Sequence, residues 1–343
     1  MTQRIGFGLT DPLKLGFSRA LKQRFVVPPF TVLDARQGYW QARKRMWLQL
    51  GIQGDLGRDI PVDSYGALGG PGTLRELYKG RTNASPSGSP RPAMRTKGGK
   101  TQRGDGKGQV LGKQSDSGAS IFDPVLCELV YRWFVPPGGS CLDPFSGEST
   151  KGLVAAMLGV QYTGIEVRPE QVKTNQEQAK RLGITPTWIC GDSRKLRKLV
   201  TADHDLIFTS PPYYDLEVYS ADKSDTSTAQ TYEQFMEWYG AIFKQAVSRL
   251  KDNRFLVVKI GDIRDKAGVY RNFLGDNIKL FLDLGLLYYN EAVLVTAVGS
   301  LPLRVGKQFN YRKLGKAHQN VICFYKGTPA SLKDIPDVFG RFE

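Results

Sequence analysis

From about residue 119 onward, hydrophobic and polar positions alternate in a way that predicts strands and helices in turn. Short apolar runs between turn residues predict strands, and apolar positions at helical spacing predict the intervening helices. The predicted strands are 140–145, 160–167, 185–190, 205–208, 254–260, 286–296 and 320–325, and the predicted helices are 124–134, 150–158, 169–182, 193–199, 231–250 and 272–284. This alternation predicts an α/β fold of right-handed βαβ units on a mostly parallel sheet.

The last two predicted strands are joined by a basic stretch, residues 300–318, in which we predict a loop and no helix. Parallel neighbours need a crossover connection, which is usually a helix. We therefore predict that these two strands pair as an antiparallel hairpin at one edge of the sheet.

The first 118 residues are less regular. Helical spacing runs over 11–25, residues 26–35 read as extended, and residues 38–51 are predicted to be a helix that carries Trp40, Arg43, Lys44, Arg45 and Trp47. Interleaved aromatic and basic residues could contact nucleic acid, but they more often form a small satellite core with a solvated face.

Residues 55–118 are rich in Gly, Pro, Ser and basic residues and poor in large aliphatic ones. Between Lys79 and Gln114 there are nine basic residues and a single acid, Asp105. Such a segment cannot order itself alone, so it is either a flexible linker or a basic arm that orders on DNA. The predicted division is an N-terminal region 1–54, the basic segment 55–118, a main domain 119–330 and a tail 331–343.

The overall charge narrows the choice of partner. The chain of 343 residues has 48 Lys and Arg against 33 acidic residues, a net charge of +15, which points to a polyanion and first to nucleic acid. Four scattered cysteines and two histidines form no familiar zinc pattern, so we expect no metal, and we expect reduced core thiols in a cytosolic protein. We expect neither a membrane helix nor a signal peptide.

The candidate chemistry lies where predicted strands end. The strand 205–208 runs into Ser210-Pro211-Pro212-Tyr213, in which two prolines without N–H groups fix the backbone. Ligands of open α/β sheets bind at the carboxyl ends of the strands. We therefore predict a rigid surface there, formed by the Ser210 hydroxyl, the Pro211 carbonyl and the Tyr213 ring.

Acids occupy the ends of the three preceding strands. Asp143 opens the turn DPFSGEST, which is not a phosphate loop and would repel a pyrophosphate. A carboxylate there suits a cationic ligand, and S-adenosylmethionine fits, with its ammonium and sulfonium charges. Glu166 lies where Rossmann-type sheets bind ribose hydroxyls, and Asp192 can accept from an adenine amino group.

These segments together resemble the amino-group DNA methyltransferases. DPFSG, GIEV and GDS look like their cofactor motifs, TSPPYYD like their catalytic motif, SIFDPVL (120–126) like the preceding cofactor segment and HQNVICFYKG (318–327) like the closing strand. The resemblance covers about residues 119–327 and implies a Rossmann-like methyltransferase sheet, with the first 118 residues as an irregular basic region. The whole chain looks like phage-type modification methylases of restriction-modification systems, which implies the cytoplasm of a bacterial or phage-infected cell.

The resemblance also implies the site residues. The catalytic residues would be Ser210, Pro211, Pro212 and Tyr213. The cofactor-binding residues would be Phe122, Asp123, Pro124, Asp143, Pro144, Phe145, Ser146, Gly147, Thr150, Glu166, Asp192 and Ser193. One departure from the family pattern is Glu148, which stands where a small residue is usual and puts the fine contacts of this loop in question.

The implied reaction is direct methyl transfer from S-adenosylmethionine to the amino group of a flipped-out base. Tyr213 would stack on that base, while Ser210 and Pro211 would accept from its amino group, with no metal and no covalent intermediate. Ring-carbon methylation of cytosine would need a cysteine nucleophile, usually after a proline, and none of the four cysteines follows one. Within the family, serine at the first position favours cytosine N4. Adenine N6, RNA, a protein amide and a non-catalytic DNA-binding role remain alternatives.

The partner expected from this resemblance is double-stranded DNA. The basic stretch 300–318 is a candidate phosphate-contacting or base-wedging element, and its alternative is a solvated hairpin loop. Its candidate DNA-binding residues are Arg304, Lys307, Arg312, Lys313 and Lys316, beside Phe309 and Tyr311.

Overall fold

The described residues form an eight-stranded sheet with helices packed on both faces. A computed structural model describes residues 25–53, 122–214, 229–298 and 301–340. The strands are β1 (Val32–Asp34), β2 (Ser140–Asp143), β3 (Gln161–Glu166), β4 (Thr187–Cys190), β5 (His204–Thr209), β6 (Leu250–Ile260), β7 (Leu287–Val295) and β8 (His318–Lys326), in the spatial order β1-β7-β8-β6-β5-β2-β3-β4.

The strand directions confirm the predicted mostly parallel α/β sheet. Only β8, among the described strands, runs antiparallel, and it does so against both of its neighbours, β6 and β7. The predicted antiparallel pairing of β7 and β8 is therefore confirmed. It lies next to the edge of the sheet because β1, a strand of 3 residues, pairs in parallel outside β7.

The described helices are α1 (Gly38–Gln49), α2 (Pro124–Phe134), α3 (Thr150–Met157), α4 (Pro169–Arg181), α5 (Leu196–Leu199), α6 (Tyr232–Val247), α7 (Phe273–Asp283), α8 (Leu301–Asn310) and α9 (Ile335–Phe339), with two 3₁₀ helices, Ser193–Lys195 and Pro329–Asp334. Successive side chains of β5 point to opposite cores: Leu206 and Phe208 pack with α1 to α4, and Ile207 packs with α5 to α7. Every residue of β5 is buried, as expected of a central parallel strand.

Helix α1 belongs to the main core, so its aromatic residues pack inward as the core interpretation predicted, but they do not form a separate satellite core. Trp40 and Trp47 are fully buried. Arg43 forms a two-pronged ion pair with buried Glu128 of α2, with Nε donating to Oε2 at 2.5 Å, and the Trp47 Nε1 donates to the same oxygen at 2.8 Å. The N-terminal segment is thus tied to α2 by a buried, charge-assisted network.

The prediction of a loop over 300–318 was wrong, because α8 occupies its first part. Pro302 is compatible with this helix, because proline is tolerated in the first helical turn, where its missing N–H has no intrahelical partner. Leu303 and Phe309 are exposed, so these apolar residues of the helix do not pack in the core.

Two smaller expectations also change. Cys127, Cys141 and Cys323 are buried thiols as predicted, but Cys190 is exposed, since it ends β4 at the edge of the sheet. The predicted tail 331–343 contains α9, where the Phe339 ring packs on Phe255 with centroids 5.4 Å apart.

Two predictions lie outside the described residues: nearly all of the helical spacing over 11–25, and the basic segment 55–118. The division into domains stays a prediction. In the described part of the chain, no helix is both long and apolar enough to cross a membrane.

The network around Glu128 generates a stability prediction. Changing Arg43 to Met leaves a buried carboxylate without its main partner and is expected to lower the free energy of unfolding by about 3–5 kcal/mol. Arg132→Met is the matched control, because Arg132 contacts the same carboxylate from a half-exposed position, where a pair contributes about 1 kcal/mol or less. Urea denaturation measures both, and equal losses would contradict the prediction.

The same carboxylate predicts a pH dependence. Burial alone would raise the pKa of Glu128, but hydrogen bonds from Arg43 and Trp47 outweigh it and lower the pKa below its ordinary value. Because the pKa of Glu128 is lower in the folded state, its ionised carboxylate stabilises the protein above the unfolded-state pKa of about 4.3. This stabilisation is lost as the pH falls through the folded-state pKa. The stability difference between the parent and Glu128→Gln should therefore shrink on acidification. A difference that grows between pH 6 and pH 3.5 would contradict this.

Candidate active site

The site lies where the chain order of the parallel strands changes direction. From β2 the chain proceeds through β3 and β4 on one side, and then returns to place β5 on the other side of β2. Ligands of open α/β sheets bind at such a switch point. There Thr209, the last residue of β5, donates through Oγ1 to Oδ1 of Asp143, the last residue of β2, at 2.7 Å.

Asp143 is fully buried and held by the protein on several sides. Its Oδ2 accepts from the Tyr162 hydroxyl at 2.8 Å and lies 2.7 Å from the Nζ of Lys151, while Oδ1 also accepts from the Phe145 N–H at 3.2 Å. Lys151 is only 3% exposed, so its charge balances the carboxylate inside the protein. The carboxylate thus braces the loop that follows β2, and its predicted contact with a cofactor stays a prediction.

The loop 144–149 is shaped by close backbone approaches. Gly147 has a left-handed backbone, with φ +57°, and its carbonyl accepts from Asn175 Nδ2 at 2.9 Å. Ser146 packs over Gly164, where a Cβ would lie only 2.6 Å from the Ser146 Oγ. The missing side chain at Gly164 is therefore what lets this loop lie on β3.

Glu148, the departure noted in the sequence, has a structural role. It is buried, and its Oε2 accepts from both the backbone N–H and the hydroxyl of Thr150, each at 2.7 Å. These bonds satisfy donors in the first turn of α3, where a negative charge is also favoured by the helix dipole. Glu148 therefore replaces the loop's usual small residue with a helix-capping carboxylate.

Glu166 and Asp192 each bind an arginine two residues further along. Glu166 Oε1 accepts from the N–H and Nε of Arg168 at 3.0 and 3.2 Å. Asp192 accepts from the N–H and Nε of Arg194 at 2.9 and 3.1 Å. The hydroxyl of Ser193, which lies between Asp192 and Arg194 in the chain, donates to the Pro144 carbonyl at 2.5 Å. The loops after β2 and β4 are thus joined at the predicted cofactor site.

The segment before α2 enters the same site. Asp123 caps α2 by accepting from the Val125 N–H at 2.9 Å, and it also binds Trp40 Nε1 at 3.2 Å. The ring of Phe122 lies 5.3 Å from Lys151 Nζ and 4.7 Å from Lys259 Nζ. Pro124 is the first residue of α2.

The predicted catalytic segment directly follows β5. Pro211 is buried, and Ser210, Pro212 and Tyr213 are half-buried. The Tyr213 hydroxyl accepts from Gln319 Nε2 at 3.2 Å, and its ring meets Phe273 edge-on with centroids 6.2 Å apart. A Cβ at Gly261 would lie 3.3 Å from this hydroxyl, so the glycine helps to make room for the tyrosine.

The second tyrosine anchors the segment. Tyr214 is buried, donates to the Gln230 carbonyl at 3.0 Å and packs on Tyr232 and Phe235. The Arg271 guanidinium lies 5.1 Å from its ring centroid. Tyr214 therefore fixes the chain after Tyr213.

The predicted DNA-binding residues lie on α8 and in the segment 311–317 that follows it, which we call the turn after α8. Lys307 is exposed on α8, and the Arg312 guanidinium lies 5.1 Å from the Phe309 ring. Lys316 approaches the catalytic segment, since its Cε would lie 3.9 Å from a Cβ at Gly261. Burial lowers the pKa of Lys316. Arg304 lies on α8, and its side chain is outside the described residues.

Lys151, Arg168, Arg194 and Lys259 were not identified from the sequence. The arginines carried a signal, because in both cases the acid at the strand end is followed by an arginine at the second position. No sequence signal marked Lys151 as a buried residue, because a lysine in the first turn of a helix is usually solvated.

Comparison with known proteins identifies part of the chain. Residues 204–337 match the family model of the DNA methylases of the N6/N4 type. The segment contains the predicted catalytic residues, and the resemblance to amino-group DNA methyltransferases is confirmed over it. Such enzymes use S-adenosylmethionine, in agreement with the cofactor predicted from the sequence. A search of curated proteins found no match.

Solved structures with a similar chain path include several methyltransferases. TrmN from Thermus thermophilus is 17% identical with a TM-score of 0.41, over 60% of this chain and 49% of that chain, so the match spans about half of TrmN. A methyltransferase from Pyrococcus furiosus is 16% identical with a TM-score of 0.42, over 61% and 85% of the two chains. Magnesium protoporphyrin IX methyltransferase from Synechocystis PCC 6803, with bound SAM, is 12% identical with a TM-score of 0.39, over 59% and 79%.

The bond between the ends of β2 and β5 is testable. Thr209→Val keeps the shape of the side chain but removes a donor to a buried carboxylate, and it is expected to lower the free energy of unfolding by about 1.5–3 kcal/mol. Thr209→Ser retains the hydroxyl and should lose less. Chemical denaturation measures both variants, and an equal loss for Ser and Val would show that packing, not the hydrogen bond, is responsible.

Proposed function

We propose that the chain is a DNA methyltransferase that transfers a methyl group from S-adenosylmethionine to the exocyclic amino group of a base turned out of the duplex, with cytosine N4 as the target. The observation that carries the proposal is Ser210-Pro211-Pro212-Tyr213, placed directly after β5 beside the end of β2, in a segment that matches DNA methylases. Adenine N6 is the alternative target, since a hydroxyl at position 210 can accept from either amino group.

The residues at the strand ends fit the proposed cofactor. A Cβ at Gly147 would enter open space, so the loop after β2 leaves room for a ligand. Arg168 binds Glu166 through Oε1, and Oε2 is the oxygen that we expect to accept from the ribose. We assign the adenine amino group to Asp192 and the methionine end to the neighbourhood of Phe122 and Asp123.

The proposed reaction is a direct displacement. When bound, S-adenosylmethionine supplies a methyl group, whose bond to sulfur breaks as its bond to the amino nitrogen forms, and that nitrogen then releases a proton to solvent. The chain holds the base for this step by stacking it on Tyr213 and by accepting its amino hydrogens at the Ser210 hydroxyl and the Pro211 carbonyl. This orientation directs the nitrogen lone pair at the methyl group and lowers the barrier through position.

Several contacts support this role for Tyr213. The bond from Gln319 and the edge contact with Phe273 fix the ring on two sides, and buried Tyr214 fixes the chain that follows. A stacking platform that is already ordered loses little conformational entropy when a base binds. The bases of a duplex can reach such a platform only by leaving the stack.

The function is tested by incubating the full-length protein with labelled S-adenosylmethionine and unmethylated genomic DNA, which offers every short recognition sequence. Digestion to nucleosides and mass spectrometry are expected to show N4-methyl-deoxycytidine. N6-methyl-deoxyadenosine would overturn the choice of base and keep the reaction class. Label on the cytosine ring carbon, transfer to RNA alone, or no transfer although the cofactor binds would overturn the proposal.

Ser210→Ala separates catalysis from folding. Loss of one acceptor for an amino group that becomes charged should cost about 1.5–3 kcal/mol in the transition state, which lowers kcat roughly 10- to 150-fold. Binding of the cofactor, measured by calorimetry, should not change. Ser248→Ala, at the exposed end of α6, is the control and should keep full activity. An unchanged kcat for Ser210→Ala would contradict the assigned role.

A further inference from the structure

The connection between β6 and α7, residues 261–272, forms an ordered projection that we call the Tyr270 loop. Its two sides are bonded to each other: Arg264 and Tyr270 form an antiparallel bridge, and the Asp265 N–H donates to the Val269 carbonyl at 2.8 Å. Asp262 anchors the base of the loop by accepting from the Phe273 N–H at 2.9 Å. The loop is therefore a small structured element.

The loop has a small excess of positive charge, with three basic residues and two acids. The basic residues are Arg264, Lys266 and Arg271, and the acids are Asp262 and Asp265. Both acids accept hydrogen bonds from backbone N–H groups of the loop or of the start of α7. These bonds hold the carboxylates close to the backbone. Lys266, at the tip, is exposed.

An exposed aromatic ring lies among these cations. The Arg264 guanidinium lies 3.8 Å from the centroid of the Tyr270 ring, which is 42% exposed. Beside it, Val269 is 62% exposed. Exposed rings and apolar side chains among cations are typical of surfaces that contact nucleic acid.

The loop packs on the turn after α8. Lys313 Nζ donates to the Ala267 carbonyl at 3.4 Å, and Lys316 Nζ lies 5.7 Å from the Tyr270 ring. The turn itself presents Tyr311, which is 79% exposed. The Tyr270 loop and this turn therefore form one continuous basic surface.

This surface adjoins the catalytic segment on two sides. At the base of the loop, Gly261 lies beside the Tyr213 hydroxyl and near Lys316, and Arg271 lies over the Tyr214 ring. A polyanion held on the surface would thus pass directly next to the residues that are proposed to receive the base.

We propose that the Tyr270 loop is a second DNA-contacting element, which binds backbone phosphates next to the target base through Lys266 and Arg264. The inference rests on the proposed function for the identity of the polyanion. Duplex DNA fits because its backbone carries one phosphate per nucleotide, and neutralisation of these phosphates by neighbouring cations releases counterions. The loop and the turn after α8 then hold the backbone beside Tyr213.

The test is the salt dependence of DNA binding by the full-length protein, measured with a labelled 30-base-pair duplex of mixed sequence. Removal of one phosphate contact in Lys266→Ala should reduce the slope of log K against log salt by about 0.9 and weaken binding roughly five- to tenfold at 0.1 M salt. Lys266→Arg should retain the slope, and Lys266→Glu should weaken binding further.

Lys173→Ala is the matched control, because Lys173 is also an exposed lysine but lies on α4, which packs on β3 and β4 at the opposite end of the sheet order. Affinity and slope equal to the parent in both Lys266→Ala and Lys266→Glu would overturn the inference. Normal DNA binding by the parent without methyl transfer would overturn the proposed function alone. No DNA binding by the parent would overturn both.

Discussion

The arrangement of the site depends on one buried group of charged and hydroxyl side chains at the end of β2. Burial of an ion pair costs several kcal/mol unless further hydrogen bonds satisfy it. Asp143 meets this requirement with Lys151 from α3, Tyr162 from β3 and Thr209 from β5. Three elements that reach the site from different parts of the chain are therefore positioned by a single carboxylate. Because Thr209 directly precedes Ser210, the same carboxylate also sets the start of the proposed catalytic segment.

The other acids at strand ends follow a simpler rule. Asp34, Glu166 and Asp192 end or follow β1, β3 and β4, and each is paired with an arginine two positions later. A row of carboxylates without positive partners along the carboxyl ends of the strands would repel a nucleic acid. Local pairing removes much of this repulsion while the carboxylate oxygens stay in place as acceptors. The carboxyl ends of the strands can thus carry acidic side chains on a chain that is basic overall.

The sequence predicted the parallel strands well because their burial on both faces produces continuous apolar runs, and α2 was predicted with its observed bounds. It failed where tertiary contacts decide. Residues 26–35 were predicted to be extended, but the pairing of β1 with β7 depends on tertiary contacts, and the apolar residues Leu303, Val305 and Phe309 of α8 are exposed and do not pack in a core. Lys151 is a charged residue whose burial makes sense only next to Asp143. The residues that end each strand could be predicted, but their partners could not, except where an arginine stands at a fixed spacing.

The contacts of α1 decide which of its side chains are available to a nucleic acid. Its Trp40 and Trp47 are fully buried, and Arg43 is turned inward to Glu128. Trp40 and Lys44 also hold Asp123, which the family resemblance places near the methionine end of the cofactor. Side chains committed to these contacts cannot also bind phosphates. Within the described part of the chain, Arg43 and Lys44 of α1 are therefore used in contacts with α2 and with the residue before it, and the basic side chains described next to the catalytic segment are those of the Tyr270 loop and the turn after α8.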